Sequence, residues 1–358
     1  MAPGVLKPLN RALAAIACFF GLHHLARRRH RRELLIVCYH GVTDAPATWR
    51  GWWQLAPRDQ FERQLRYLMR HYRIMPIDGA LAELRAGGLR APTACVTFDD
   101  GYLNNRTVAL PVLQRLAVPA TVYLATGLIG TPRRLWTTRL EWKFMNSPRT
   151  RVDLSGCGLP VPPRALNGAA GRRRLARAVI DRLKRARPAA RAQAIAMLAD
   201  QLGGGEPVDD AAFGMMDWSD ARAMEQTGLI SFGGHTVQHE IVSRLDDDQQ
   251  EQEIAGCLAT LRERLTAPSG TFAYPNGQPQ DFDERSIRTL QRAGATAAVS
   301  TIEGLTDAQT NPYALRRIMV GGDLSYSQFR AVTSGVVGDL KRLPRFGHRD
   351  AEATVADR

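Results

Sequence analysis

Short, uninterrupted runs of apolar and β-branched residues recur along the chain, at Leu34–Tyr39, Thr93–Phe98, Ala120–Leu124, Leu229–Phe232, Thr271–Ala273, Ala295–Ser300 and Leu315–Val320, with a briefer one about Ile74. Runs of this length without polar alternation predict strands buried on both faces. Between them the period changes. Over residues 58–72, Phe61, Leu65, Leu68, Met69 and Tyr72 share one face and predict a core-facing helix. A second helix is predicted to open at Asp78 as N-cap and to end at Gly87-Gly88. A third, near 105–116, should be tightened or kinked by Pro111. Residues 246–265 start on Asp246-Asp247-Asp248 and end on Arg262 and Arg264, which suits the helix macrodipole, and a further helix falls near 283–293. Strand and helix alternate, so the fold class is α/β, a mainly parallel sheet or barrel.

Residues 131–215 break this rhythm. Trp136, Leu140 and Phe144 recur at helical spacing, a Gly/Pro-rich stretch follows, and a basic helix then carries Leu175, Val179, Ile180 and Leu183 on its apolar side. The segment reads as a helical insertion near the site. The chain thus divides into a basic and apolar N-terminal segment (1–33), a body (34–335) containing the insertion, and a polar, mobile tail (336–358).

The net charge of +13 is unevenly spread: residues 1–33 carry +6, residues 133–191 carry +13, and the rest of the chain sums to −6. Such basic segments suit phosphate, lipid headgroups or nucleic acid, but no zinc-finger, helix-turn-helix or aromatic-studded RNA motif supports a specific nucleic-acid partner. The five cysteines show no CxxC or cluster spacing, which argues against a disulfide framework or a zinc ribbon and favours a reducing compartment. No P-loop, dinucleotide fingerprint or Gly-x-Ser-x-Gly elbow is present. The apolar run Ala12–Leu22 is shorter than the ~20 residues of a membrane span and is followed by Arg27-Arg28-Arg29-His30-Arg31-Arg32. It reads as an interfacial helix with a polybasic flank, suited to an anionic membrane surface.

The candidate chemistry sits at two strand ends. Thr97-Phe98-Asp99-Asp100-Gly101-Tyr102 places adjacent carboxylates after a buried run, where α/β sheets keep their ligands. A turn at Gly101 can bring both into one pocket, and two buried charges so close imply a metal or an arginine. Gly233-Gly234-His235-Thr236-Val237-Gln238-His239 follows another strand run. Histidines at i, i+4 share one face of a helical turn and can reach one divalent ion. One carboxylate and two imidazoles leave positions open for water and substrate.

These two motifs, together with Phe272-Ala273-Tyr274-Pro275-Asn276-Gly277, resemble the metal and substrate-groove motifs of the NodB-type polysaccharide deacetylases, carbohydrate esterase family 4. Val37–Val42 and Leu315–Ile318 resemble the bacterial, exopolysaccharide-associated branch, and the likeness runs from about residue 34 to 330. It implies a distorted, incomplete (β/α) barrel that hydrolyses N-acyl, chiefly N-acetyl, groups on an amino-sugar glycan or its lipid-linked precursor. By the same likeness Asp100, His235 and His239 would hold a divalent cation, with zinc best suited to N/O donors. Asp99 would be the general base. Tyr102, Tyr274, Pro275 and Asn276 would line the groove, and a backbone N–H near Tyr274 would join the metal in stabilising the oxyanion.

The chain departs from the family pattern twice. The arginine that relatives carry shortly before the groove motif is replaced here by the neighbourhood Thr271-Phe272-Ala273, and the only histidine after His239 is His348, in the tail. His40, at the end of the first strand, is then the remaining candidate acid, and Arg317 a candidate to orient Asp99. The alternative is a noncatalytic carbohydrate-binding relative of the same fold. Placement is expected on the cytoplasmic face of a bacterial inner membrane, as a peripheral protein, the alternative being a periplasmic enzyme on an uncleaved anchor over Leu9–Leu25.

Overall fold

The computed structural model describes residues 16–49, 51–157, 164–206 and 209–342. Its main sheet has eight parallel strands: β1 (Leu34–Tyr39), β2 (Arg73–Ile74), β3 (Thr93–Phe98), β4 (Ala120–Leu124), β5 (Ile230–Gly234), β6 (Thr271–Ala273), β7 (Ala297–Glu303) and β8 (Leu315–Met319). Seven of them run in the order β1-β8-β7-β6-β5-β4-β3, and β3 pairs back onto β1, which closes a barrel. The two residues of β2 pair only with the start of β3. Two seams are weak. β5 meets β6 at the single pair Phe272–Gly234, and the β7–β8 register shifts between Val299 and Glu303. The barrel is therefore one strand short of eight and distorted, as the resemblance implies.

The absence of alternation along the strands has a direct cause. Leu34 and Ile36 of β1 join Cys95, Tyr123, Ala273, Val299 and Leu315 inside the barrel, while Leu35, Val37 and Tyr39 pack with Val96, Phe98 and Phe272 under the surrounding helices. Both faces are dry, so both are apolar. Register then fixes the site. β1 and β3 pair residue for residue from Leu34–Thr93 to Tyr39–Phe98, so His40 and Asp99 leave the barrel at one level. Leu124 pairs with Gly234, which puts His235 at the same end.

The helices follow the predicted order with four corrections. We number them α1 (Leu22–Arg29), α2 (Arg58–His71), α3 (Ile77–Arg85), α4 (Leu110–Leu116), α5 (Trp136–Asn146), α6 (Gly168–Leu183), α7 (Pro188–Leu202), α8 (Asp247–Arg264), α9 (Glu284–Arg292), α10 (Tyr326–Thr333) and α11 (Val336–Arg342). Met69 does not face the core but is exposed on α2. Asp78 lies in the first turn of α3 rather than capping it, because Pro76 already ends the preceding chain. Residues 105–109 form a wide π-helical turn ahead of α4, so the chain before Pro111 is loosened rather than tightened. Residues 336–342 form α11 and are not tail; residues 343–358 lie outside the described residues. α8 and α9 begin on capping boxes at Asp246 and Asp283. All five cysteines are free.

The insertion carries its own apolar cluster, in which Leu140 and Phe144 of α5 meet Val179, Ile180 and Leu183 of α6 and Leu198 of α7. Much of its positive charge is used internally. Arg172 donates to the carbonyls of Phe144, Ser147 and Arg149, Arg139 pairs with Glu206, and buried Arg191 pairs with Glu240.

The described part of the N-terminal segment packs on the barrel wall, where the His30 ring bridges Glu33 (2.7 Å) and Asp339 of α11 (3.0 Å). The Glu33 hydrogen bond, opposed by burial and helped by Asp339, raises the His30 pKa above its ordinary value. A raised pKa means that the bridge is fully charged below the unfolded value of ~6.5 and is lost as pH rises through the folded one. Hydrogen exchange in residues 22–33 and 336–342 should therefore accelerate as pH climbs above neutrality, after correction for intrinsic rates. His30→Gln should abolish that extra acceleration.

Candidate active site

At the end of β3 the backbone turns sharply. Asp100 has φ 80° and Gly101 φ 88°. A Cβ at Gly101 would stand 2.7 Å from a methyl of Leu124, so glycine is required by both conformation and space. This turn brings the two neighbouring carboxylates into one pocket, as the sequence predicts. Asp99 N–H donates to the Tyr39 carbonyl (3.0 Å) and anchors the turn to β1.

Asp99 is gripped by Arg317 from β8. Both guanidinium NH groups donate to its two carboxylate oxygens at 2.8 Å, and Nε donates to the Ser300 carbonyl at 2.7 Å. Arg317 is completely buried. Burial alone would raise the Asp99 carboxyl, but the Arg317 charge and its hydrogen bonds outweigh that and hold it below the usual carboxylate range.

Asp100 faces two imidazoles instead. Its Oδ1 lies 3.5 Å from His235 Nε2 and 3.3 Å from His239 Nε2. The His235–His239 segment is not the predicted helical turn. It is a loop with Thr236 at φ 61° and His239 at φ 59°. Gly233 and Gly234 extend β5 to its last residue, and the turn that follows folds the two rings towards each other without helix. Glu253 of α8 shapes it by accepting the Val237 and Gln238 N–H groups at 2.9 and 2.8 Å.

The protonation pattern tests whether these residues fit a metal ion. His235 Nδ1 lies 2.7 Å from the Ala273 carbonyl, which can only accept, so Nδ1 carries the proton. In the neutral ring Nε2 would turn a lone pair on Asp100 Oδ1, a conflict that a proton or a metal ion between them relieves; burial opposes a proton there, but Asp100 and Asp99 raise the His235 pKa. Asp100 Oδ1 is buried and has no hydrogen-bond partner. A cation between them removes the conflict, and the backbone bond at Nδ1 is the usual support of a metal-bound histidine. Two ligands ~2.1 Å from a tetrahedral ion stand ~3.4 Å apart, close to both observed separations. Among the described residues, Asp100, His235 and His239 form a group able to hold an ion, their ligand atoms all within 4.8 Å of one another.

His40 lines the same pocket as Asp99 and Asp100, with its ring edge-on to Trp53 at 4.9 Å. Its Nδ1 is buried without a partner. Burial pushes this imidazole below its ordinary pKa, and the two carboxylates pull it part of the way back.

The groove residues divide. Asn276 and Tyr102 line the pocket, Tyr102 with its hydroxyl 3.3 Å from that of Thr138. Tyr274 and Pro275 do not line it. The Tyr274 side chain is fully buried, stacks on Phe282 at 4.3 Å and donates its hydroxyl to the Tyr313 carbonyl. Its N–H donates to the Val299 carbonyl (3.2 Å), so this amide is not free to bind an oxyanion. Tyr274 wedges the groove turn against β7, and Asn276 reaches the pocket from φ 62°.

Sequence reading missed what the insertion brings. Arg177, Asp181 and Lys184 line the pocket from α6 and its end, Glu141 and Trp136 from α5. Their spacing was the available signal, because positions 177, 181 and 184 share a helical face distinct from the apolar one. Lys184 Nζ donates to Asn276 Oδ1 at 2.7 Å and ties the insertion to the groove turn. Burial pushes its ammonium below the ordinary lysine range, opposed by Asp181, Asp281 and Asp100.

Four of the five non-glycine residues with positive φ among the described residues are Asp100, His239 and Asn276, which line this pocket, and Thr236, in the loop between its two histidines. Backbone strain gathers where side chains must converge.

A closed parallel barrel with acidic and imidazole side chains converging at the carboxyl ends of its strands is the architecture of a barrel enzyme. The polysaccharide deacetylase family profile matches residues 86–153 and 167–319. The chain belongs to the polysaccharide deacetylase family, whose members remove acetyl groups from carbohydrate and generally use a divalent metal. It is 27% identical over 301 residues to YxkH of Bacillus subtilis (strain 168), whose name assigns it provisionally to the polysaccharide deacetylases; the match covers 84% of this chain and 75% of that protein. Its fold resembles the Streptococcus pyogenes deacetylase PplD, solved with acetate, at TM-score 0.56 and 18% identity, over 85% of this chain and 99% of that one. It also resembles IcaB from Ammonifex degensii at TM-score 0.54 and 19% identity, over 85% and 97%.

The buried fork on Asp99 gives a direct test. Arg317→Ala leaves a buried carboxylate uncompensated and is expected to destabilise the fold by about 3–5 kcal/mol in denaturant titration. Arg317→Lys keeps the charge but loses the fork. It should lower kcat more than it raises KM while leaving metal content unchanged.

Proposed function

We propose that this chain is a zinc-dependent N-deacetylase acting on an acetylated amino-sugar glycan. The observation that carries the proposal is the convergence of Asp100 Oδ1 with His235 Nε2 (3.5 Å) and His239 Nε2 (3.3 Å), directly beside a carboxylate already neutralised by Arg317. The N/O donor set favours zinc over magnesium or calcium. An ion bound there polarises the amide carbonyl and makes water acidic enough to attack near neutral pH.

The remaining steps belong to the protein. Asp99 is ionised, aimed and close to the triad, so it accepts a proton from the attacking water. Arg317 fixes both carboxylate oxygens and prevents Asp99 from swinging into the ion's coordination shell. Collapse of the tetrahedral species requires a proton on the departing amine. His40 is the imidazole in the pocket outside the metal triad, and its unpartnered Nδ1 is free for that transfer. Trp53, Trp136 and Tyr102 supply flat surfaces for a sugar ring, and Asn276 a polar contact.

Metal analysis with acetate release from N-acetylated glucosamine oligomers tests this reading. His235→Ala is expected to lose metal and activity together. Asp99→Asn should retain metal yet lose about 10²–10⁴-fold in kcat. His40→Gln should retain metal and lose the limb of the pH–rate profile that reports the acid. Full activity in chelated, metal-free protein would falsify the scheme.

A further inference from the structure

Of the six large apolar side chains that stand exposed among the described residues, five lie on the N-terminal segment, Ile16, Phe19, Phe20, Leu22 and Leu25; the sixth, Met69, lies on α2. Phe19 is 85% exposed and Phe20 70%. Contiguous apolar surface of this kind marks an interaction site.

The segment bearing it is fastened to the barrel. Ala17, His23 and Ala26 are buried beneath it, Cys18 Sγ donates to the Ser327 carbonyl, Arg27 to the Tyr67 hydroxyl, and Arg330 meets His23 at 2.6 Å. The outward direction of the apolar face is therefore set by the fold.

A basic rim surrounds that face. Arg28, Arg29, Arg31 and Arg32 are exposed on one side, and Arg63, Arg66 and Arg70 of α2 on the other. Beside them opens a cleft of about 660 Å³ lined by Arg63, Arg66, Arg70, His71 and Arg330, with Asp59 and Glu62 its acidic members. Burial, and then Arg27 and other cationic neighbours, push His71 down to about 4. Four arginines of the cleft, Arg63, Arg66, Arg70 and Arg330, face two carboxylates, and Arg66 pairs with Glu62 at 2.8 Å, so positive charge is in excess here.

We propose that this face docks on a bilayer surface containing anionic phospholipid. The apolar side chains enter the acyl boundary, the arginines meet headgroup phosphates, and the cleft receives one headgroup. Charge complementarity selects this occupant over a neutral apolar partner. The docked orientation also has a sense. Ser327 lies in the first turn of α10, which leaves the carboxyl end of β8, so the apolar tip sits at the same end of the barrel as the pocket. A glycan held at the membrane surface is then within reach. The proposal does not depend on the catalytic reading.

Flotation of the full chain with vesicles tests it, using phosphatidylcholine alone and phosphatidylcholine mixed with phosphatidylglycerol. Binding is expected to the mixed vesicles, to weaken as salt is raised, and to be weak on phosphatidylcholine alone. Phe19→Ser with Phe20→Ser should lower partitioning about tenfold or more, and Arg28→Gln or Arg29→Gln about fivefold each. All of these variants should keep the wild-type circular dichroism spectrum and thermal unfolding transition, which shows that they fold. Equal recovery of wild type and variants with both vesicle types would overturn the proposal. So would a lipid-free dimer, seen by light scattering, that dissociates on Phe19→Ser with Phe20→Ser, because a second copy would then own the face.

Discussion

Everything at the mouth of the barrel depends on one buried ion pair, the fork from Arg317 to Asp99. A carboxylate withdrawn from water stays charged only if something charged stands beside it, and β8 supplies that partner from across β1. Adjacent Asp100 receives no such partner from the chain. The two aspartates are chemically equal in sequence and are made unequal by their neighbours. One is neutralised by a fixed guanidinium, and the other faces the Nε2 atoms of two imidazoles. Sequence left open whether a metal or an arginine answers the paired charges; the structure gives the arginine to Asp99 and leaves to Asp100 a site that fits a metal.

The parts of this arrangement that were legible in sequence are those set by burial and by short-range turns. Strands buried on both faces read as unbroken apolar runs, and their carboxyl ends gave Asp99, Asp100, His235 and His40 their level. The parts that were not legible depend on what packs against what. The i, i+4 spacing of His235 and His239 mimics a helix, yet the glycine-rich end of β5 and the grip of Glu253 make a loop of it. Tyr274 reads as a groove residue from its motif, but Phe282 and Tyr313 draw it inward. Met69 matched the helical period yet stands exposed on α2. No local signal carries such information.

The insertion shows how composition misleads. Its positive charge looked like a surface waiting for a ligand. Several of its arginines instead serve as struts, binding carbonyls at the ends of α5 or pairing with acids from elsewhere. What it contributes to the pocket is a short stripe, and its lysine bonds to the groove turn. A helix that sits over a catalytic pocket in this way narrows access to the triad and fixes the side from which a sugar ring can approach.

The twisted rim has a consequence for how the site assembles. Left-handed backbone at a residue with a side chain costs roughly 1–2 kcal/mol, and Asp100, Thr236, His239 and Asn276 all adopt it. The loop is held in that conformation from outside the pocket: Glu253 accepts the Val237 and Gln238 N–H groups, and the Thr126 and Gly127 N–H groups donate to the Thr236 and Val237 carbonyls. The precision with which the two imidazoles meet is therefore borrowed from α8 and from the turn after β4, neither of which touches the chemistry.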